Sequence, residues 1–194
     1  MDVIEAIRNR HSVKKLAAPG PTAAQLDTLL ELAATAPDHG GLRPWRHVVL
    51  SGADLDAFPL DAGDTPTVIV VGLEPSGEKI SHDDQAAAVA ASAQLILLAA
   101  GAMGLGAMWR TGSAARDASV RAAAGLSPAG RIVAFIHLGT PADGPTSATR
   151  SPEPAASGQT AATAAAPPRP GTAPTERAAT RADGDLGIGS LRGR

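Results

Sequence analysis

Three short stretches gather side chains that can do chemistry. The first is Arg10-His11-Ser12-Val13-Lys14-Lys15, which packs a guanidinium, an imidazole, a hydroxyl and two ammonium groups into six residues. An arginine fork and a serine hydroxyl are suitable donors for phosphate oxygens. A basic helix C-terminus that complements the helix dipole would read the same way. The second is Ala36-Pro37-Asp38-His39-Gly40-Gly41-Leu42-Arg43-Pro44-Trp45, a loop stiffened by Pro and Gly. Asp38 and His39 suggest acid/base work on a firm scaffold; the alternative is a capped turn with Trp45 as a core anchor. The third is Gly104-Leu105-Gly106-Ala107-Met108-Trp109-Arg110-Thr111-Gly112. Its glycines do not make a dinucleotide fingerprint, because that motif needs a strand before it and a helix after it. What remains is a tight turn into a strand whose end, Trp-Arg-Thr-Gly, can present N–H groups and a hydroxyl to a planar ligand, or simply pack.

Other chemistries are excluded or unsupported. With no cysteine among 194 residues there is no disulfide framework, no thiolate zinc site and no thiol nucleophile. The five histidines, His11, His39, His47, His82 and His137, show no paired metal-ligand spacing, so no metal is expected. No G-x-S-x-G elbow and no phosphate-binding G-x-x-x-x-G-K loop occurs. Seventeen basic and 19 acidic residues give a formal charge of −2, which argues against nucleic acid as a partner. Asp2, Glu5, Arg8 and Arg10 interrupt any signal-peptide run, so a cytoplasmic protein is expected.

These stretches must be held by a scaffold, and the composition places it in residues 1–140. Residues 141–194 hold half of the chain's 16 prolines, and their large apolar residues are Leu186, Ile188 and Leu191 alone. Such a segment cannot bury enough surface to offset its ordering entropy, so a low-complexity, disordered tail is expected there. Within 1–140 the pattern predicts helices over 2–9 and 22–36, the latter capped by Thr22 and stopped by Pro37. It predicts strands over 46–51, 67–73, 105–110 and 131–138, and helical segments over 53–58, 83–103 and 115–124. Residues 17–21 read as loop. Strands interleaved with helices imply a helix-covered sheet. Residues 86–108 carry no charge and are long enough to cross a bilayer. Ala is only weakly apolar, however, and Ser92, Gln94 and three glycines dilute the run; a buried or subunit-interface helix is expected, with no membrane partner.

Taken in order, the three stretches resemble the nitroreductase family, and within it the short bacterial YdjA-like NAD(P)H nitroreductases. Met1-Asp2 and Ile132-Val133-Ala134-Phe135-Ile136-His137-Leu138-Gly139-Thr140-Pro141 add to the likeness, which covers most of residues 1–141. The resemblance implies an α+β fold that forms a homodimer with FMN at the subunit interface. It implies that Arg10, His11 and Ser12 hold the FMN phosphate and ribityl chain, and that Lys14 stands near the flavin N1–O2 edge. Thr35 and His39 would contact FMN from the second stretch, His39 across the dimer, and Trp109, Arg110 and Thr111 from the third. Ala99, Ala100, Gly101, Ala102, Met103 and Gly104 would meet the nicotinamide nucleotide. No side chain is then the catalytic nucleophile; NADH or NADPH supplies a hydride, and a nitroaromatic or quinone-like small molecule accepts it. Thr35 stands where close relatives have Arg, the link over 52–66 is shorter than theirs, and Arg150-Ser151-Pro152-Glu153-Pro154 only faintly matches their usual ending. These departures leave a second reading, a non-catalytic flavin-binding or interaction module on the same fold.

Overall fold

The apolar run Thr67–Leu73 is β3, and all seven of its residues are buried. A strand apolar on both faces needs cover on both, and the chain provides it. The computed structural model describes residues 2–77 and 79–144; of the tail expected over 141–194, Pro141 closes a strand and the part from 145 onward lies outside the described residues. β3 pairs antiparallel with β2 (Trp45–Ser51) on one side and with β5 (Arg131–Pro141) on the other. β4 (Gly106–Arg110) pairs antiparallel with β5, from Gly106 opposite Gly139 to Arg110 opposite Phe135. A two-residue strand, β1 (Leu16–Ala17), completes the five-stranded sheet by pairing with Thr140 and Pro141.

Alternate β3 residues enter two different cores. Ile69 and Val71 pack with Leu29 and Ala33 of α2 (Ala23–Ala33) and with Val89, Ala93, Ile96 and Ala100 of α4 (His82–Ala102). Val68 and Val70 pack on the opposite face with Leu55 of α3 (Ala53–Ala57) and Val120 of α5 (Ala118–Ala123). By length and composition α4 is apolar enough to cross a membrane; here its apolar residues fill the core beneath the sheet. The result is the expected helix-covered α+β sheet.

The local chemistry explains the boundaries. Thr22 and Gln25 form a reciprocal capping box at the start of α2. Asp2 caps α1 (Val3–Asn9) through Glu5 N–H, and Ser81 caps α4 through Asp84 N–H. Three expectations need correction. The helix expected over 22–36 ends at Ala33: Thr35 and Ala36 tighten into bonds to Leu32 and Ala33 carbonyls, since Pro37 disfavours helical backbone just before it. The helix expected over 115–124 is a 3₁₀ turn, Ala114–Arg116, followed by α5. Asp117 separates them because its carboxylate accepts from Ser119 N–H at 2.7 Å and so caps rather than continues. Leu16–Ala17, read partly as loop, is a strand.

Candidate functional site

The three stretches are positioned by different elements. β4 projects Ala107 and Trp109 into the α2/α4 core and ends at the exposed Arg110, Thr111 and Gly112. Gly112 has φ +62°, a conformation that lets the chain turn sharply off the sheet. The first stretch docks on this strand: Val13 N–H donates to the Ala107 carbonyl at 3.0 Å. Arg10 and His11 are half-buried there, and Ser12 and Lys14 are exposed. His11 Nδ1 lies 2.8 Å from the Asn9 carbonyl. Lys15 is engaged with Asp143 at 3.4 Å, whereas neither Arg10 nor Lys14 forms an ion pair among the described residues. Two uncommitted cations beside a serine hydroxyl form a donor set that fits a phosphate-bearing cofactor.

Beyond β4, Thr111 and Gly112 open onto a cleft of about 480 Å³. Its other walls are Ala86, Ala115, Arg116, Asp117, Arg121 and residues 130–133. The sequence reading missed the three arginines. They are spread over 16 positions in no motif, and only the folded chain sets them around one cleft with Thr111.

The second stretch lies elsewhere. Pro37, Asp38 and His39 face Asp84, Ala87, Ala88 and Ala91 of α4 across a separate cleft of about 320 Å³ that shares no lining residue with the first. Asp38 is not poised for acid/base work: its carboxylate accepts the Arg43 N–H and holds a turn in which Arg43 adopts φ 47°. His39 is exposed. Thr35 spends its hydroxyl on the Leu32 carbonyl at 2.7 Å. Trp45 and Trp109, both half-buried, pack against the α2/α4 core.

The segment expected to meet the nicotinamide is divided. Ala99 and Ala100 are buried under the sheet, while Gly101, Ala102 and Gly104 are exposed and Met103 caps α4. It sits at the start of β4, a strand's length of roughly 16 Å from the Thr111 cleft.

Two further histidines are structural. His47 Nε2 lies 2.9 Å from Ser92 Oγ, and burial lowers its pKa. His137 is fully buried beside Thr65 Oγ1 at 3.1 Å; burial, with the charge of Arg110 adding to it, pushes its pKa down to about 4. Glu74 accepts the Ser127 N–H at 2.9 Å, and hydrogen bonding to Ser127 holds its carboxyl below the usual range. Among the described residues, no cluster of His, Asp and Glu could hold a metal ion.

Comparison with known proteins identifies the family and the fold. The model of the Nitroreductase family matches residues 7–62 and 59–140, two segments that meet inside the short 52–66 link. A protein of Escherichia coli K12 named as a candidate NAD(P)H nitroreductase, YdjA, is 31% identical over 163 residues, covering 73% of this chain and 89% of its own length. A nitroreductase-like family protein from Bacillus cereus superposes with a TM-score of 0.67 at 26% identity, over 78% of this chain and 92% of that one. A candidate nitroreductase of Desulfovibrio desulfuricans, crystallised in complex with FMN, superposes with a TM-score of 0.64 at 27% identity, over 76% and 91%. With family motifs in sequence order, on a sheet shared with these structures, the chain belongs to the nitroreductase family.

Proposed function

We propose that this chain binds FMN and acts as an NAD(P)H oxidoreductase on nitroaromatic or quinone-like small molecules, as a cytoplasmic homodimer. The observation that carries the reading is the junction of the first and third stretches through the Val13–Ala107 bond. It sets Arg10 and Ser12 beside the strand that ends in Arg110 and Thr111. When bound, FMN would supply the redox chemistry, taking a hydride from NAD(P)H and giving it up to the acceptor. Arg10 and Ser12 bind phosphate oxygens, and Lys14 places positive charge where a reduced flavin needs it. The peptide groups around Thr111 orient the ring, and Trp109 anchors their strand against the core. The exposed ends of the nicotinamide segment, Gly101, Ala102 and Gly104, leave room for a nucleotide approaching over the end of α4.

The separate position of Thr35 and His39 supports a site completed by a second copy. Val3, Ile4 and Ile7, on successive turns of α1, and Leu32 of α2 are exposed apolar side chains. Covering them in a dimer would bring the second stretch of one subunit toward the first and third of the other.

The test is direct. Purified protein should carry flavin absorbance or take up added FMN, and NADPH or NADH should bleach it rapidly in a stopped-flow mixing experiment. Failure to take up FMN would remove the reading altogether. Uptake without bleaching would favour the flavin-binding module.

A further inference from the structure

The Thr111 cleft carries more positive charge than the fold uses. Arg116, Arg121 and Arg131 line it together. Arg121 Nε is buried and meets no hydrogen-bond partner among the described residues. A buried guanidinium N–H without an acceptor is an unusual and costly arrangement. Arg116 Nη1 reaches the Gly112 carbonyl only at 3.4 Å, a weak hold for a group exposed to solvent. The acidic residues nearby do not neutralise the set. Asp117 lines the cleft, but its Oδ1 accepts from both the N–H and the hydroxyl of Ser119 at 2.7 Å. Asp83, 96% exposed, comes no closer than 3.9 Å to Arg131. Subtracting one or both carboxylates from three guanidiniums leaves a net charge of +2 or +1. The overall charge of the chain has the opposite sign.

We propose that this cleft is a binding site for a phosphate monoester, held by Arg116, Arg121 and Arg131, and distinct from the flavin phosphate site on Arg10 and Ser12. A phosphate monoester carries about −1.5 to −2 at neutral pH, which matches the surplus, whereas a monocarboxylate would leave part of it uncompensated. Planar guanidinium forks recognise such oxygens in pairs. The cleft volume of about 480 Å³ leaves room for the molecule that bears the phosphate. That molecule is either the hydride donor, through the 2′-phosphate that NADPH has and NADH lacks, or a phosphorylated acceptor.

The experiment is calorimetric titration of the full-length chain with inorganic phosphate, for wild type, Arg116→Gln, Arg121→Gln and Arg10→Ala. Arg116 is exposed, so its variant tests the site without disturbing packing. Phosphate affinity should fall about tenfold or more in each cleft variant, the loss expected for one charge-assisted hydrogen bond. Arg10→Ala should weaken FMN and remove phosphate binding at the flavin site only, leaving the phosphate site that depends on Arg116 and Arg121. Phosphate binding that is absent, or equally strong in both cleft variants, would overturn the proposal. So would parallel loss of FMN in Arg116→Gln, which would make the cleft part of the flavin site. A chain that took up no FMN at all would still report on phosphate, so this inference and the flavin reading fail separately. A second titration with NADPH and NADH identifies the source. A loss in Arg116→Gln confined to NADPH assigns the 2′-phosphate, and equal binding of both in all variants assigns a phosphorylated acceptor.

Discussion

Val13 donates its backbone N–H to the carbonyl of Ala107 at 3.0 Å, and this bond joins the segment of Arg10 and Ser12 to the strand of Trp109 and Thr111. A proline at 13 has no N–H to give. Val13→Pro should therefore cost about 1 kcal/mol or more of stability and lower FMN affinity, although no charged group is removed. Val13→Ala keeps the donor and should retain the affinity. Denaturant melts and FMN titrations of the two variants check this; equal FMN affinity in both would mean that the stretches are positioned by something else.

Arg10 is half-buried and outside the ion pairs found among the described residues. Removing it should affect a ligand more than the fold. Arg10→Ala should weaken FMN binding by roughly 1.5–3 kcal/mol, about 10- to 150-fold, with little change in melting temperature. An unchanged titration would show that the phosphate sits elsewhere.

The sequence made visible whatever rests on local chemistry. β3 could be read from an unbroken apolar run, and α2 from Thr22 as its cap and Pro37 as its stop. Pairing between distant residues left no such trace. Leu16–Ala17 is too short to show a period and is a strand only because Thr140 and Pro141 meet it. The break at Asp117 depends on where one carboxylate turns, toward Ser119, and a run of helix formers conceals it. In the site, the three stretches stood out by residue type. That the second and third line separate clefts is a fact of packing against α4, as is the gathering of Arg116, Arg121 and Arg131 around Thr111.

His137 makes stability depend on pH. Its folded pKa of about 4 lies below the ordinary value of 6.5, so the unfolded chain binds the proton more readily between those values. Stability is therefore intact above about pH 6.5 and falls as pH drops toward 4, by up to about 3 kcal/mol from this residue. Below that, Glu74, whose carboxyl is held low by Ser127, gives up its share as it protonates. His137→Gln keeps a polar group near Thr65 but cannot titrate. Urea melts at pH 7 and pH 4.5 should show a large loss for wild type and a much smaller one for the variant. Parallel losses would assign the pH dependence to other groups.

Val3, Ile4 and Ile7 are 67%, 53% and 55% exposed on α1, and Leu32 on α2 is 42% exposed. If a second copy covers this surface, a charge placed there should be buried against apolar partners, at a cost that few interfaces withstand. Ile4→Glu should turn the dimer into a monomer in sedimentation experiments and lose FMN with it, while the monomer keeps its helical and sheet signals. A sharper version mixes two full-length variants, Arg10→Ala and His39→Ala, each defective in FMN binding on its own. If each flavin site takes Arg10 from one subunit and His39 from the other, the mixed dimer contains one intact site, and unfolding and refolding the variants together should restore part of the FMN binding. If both residues serve the same site within a subunit, no mixed dimer has an intact site and nothing is restored. Restoration would thus explain why one chain keeps its second stretch on a cleft of its own.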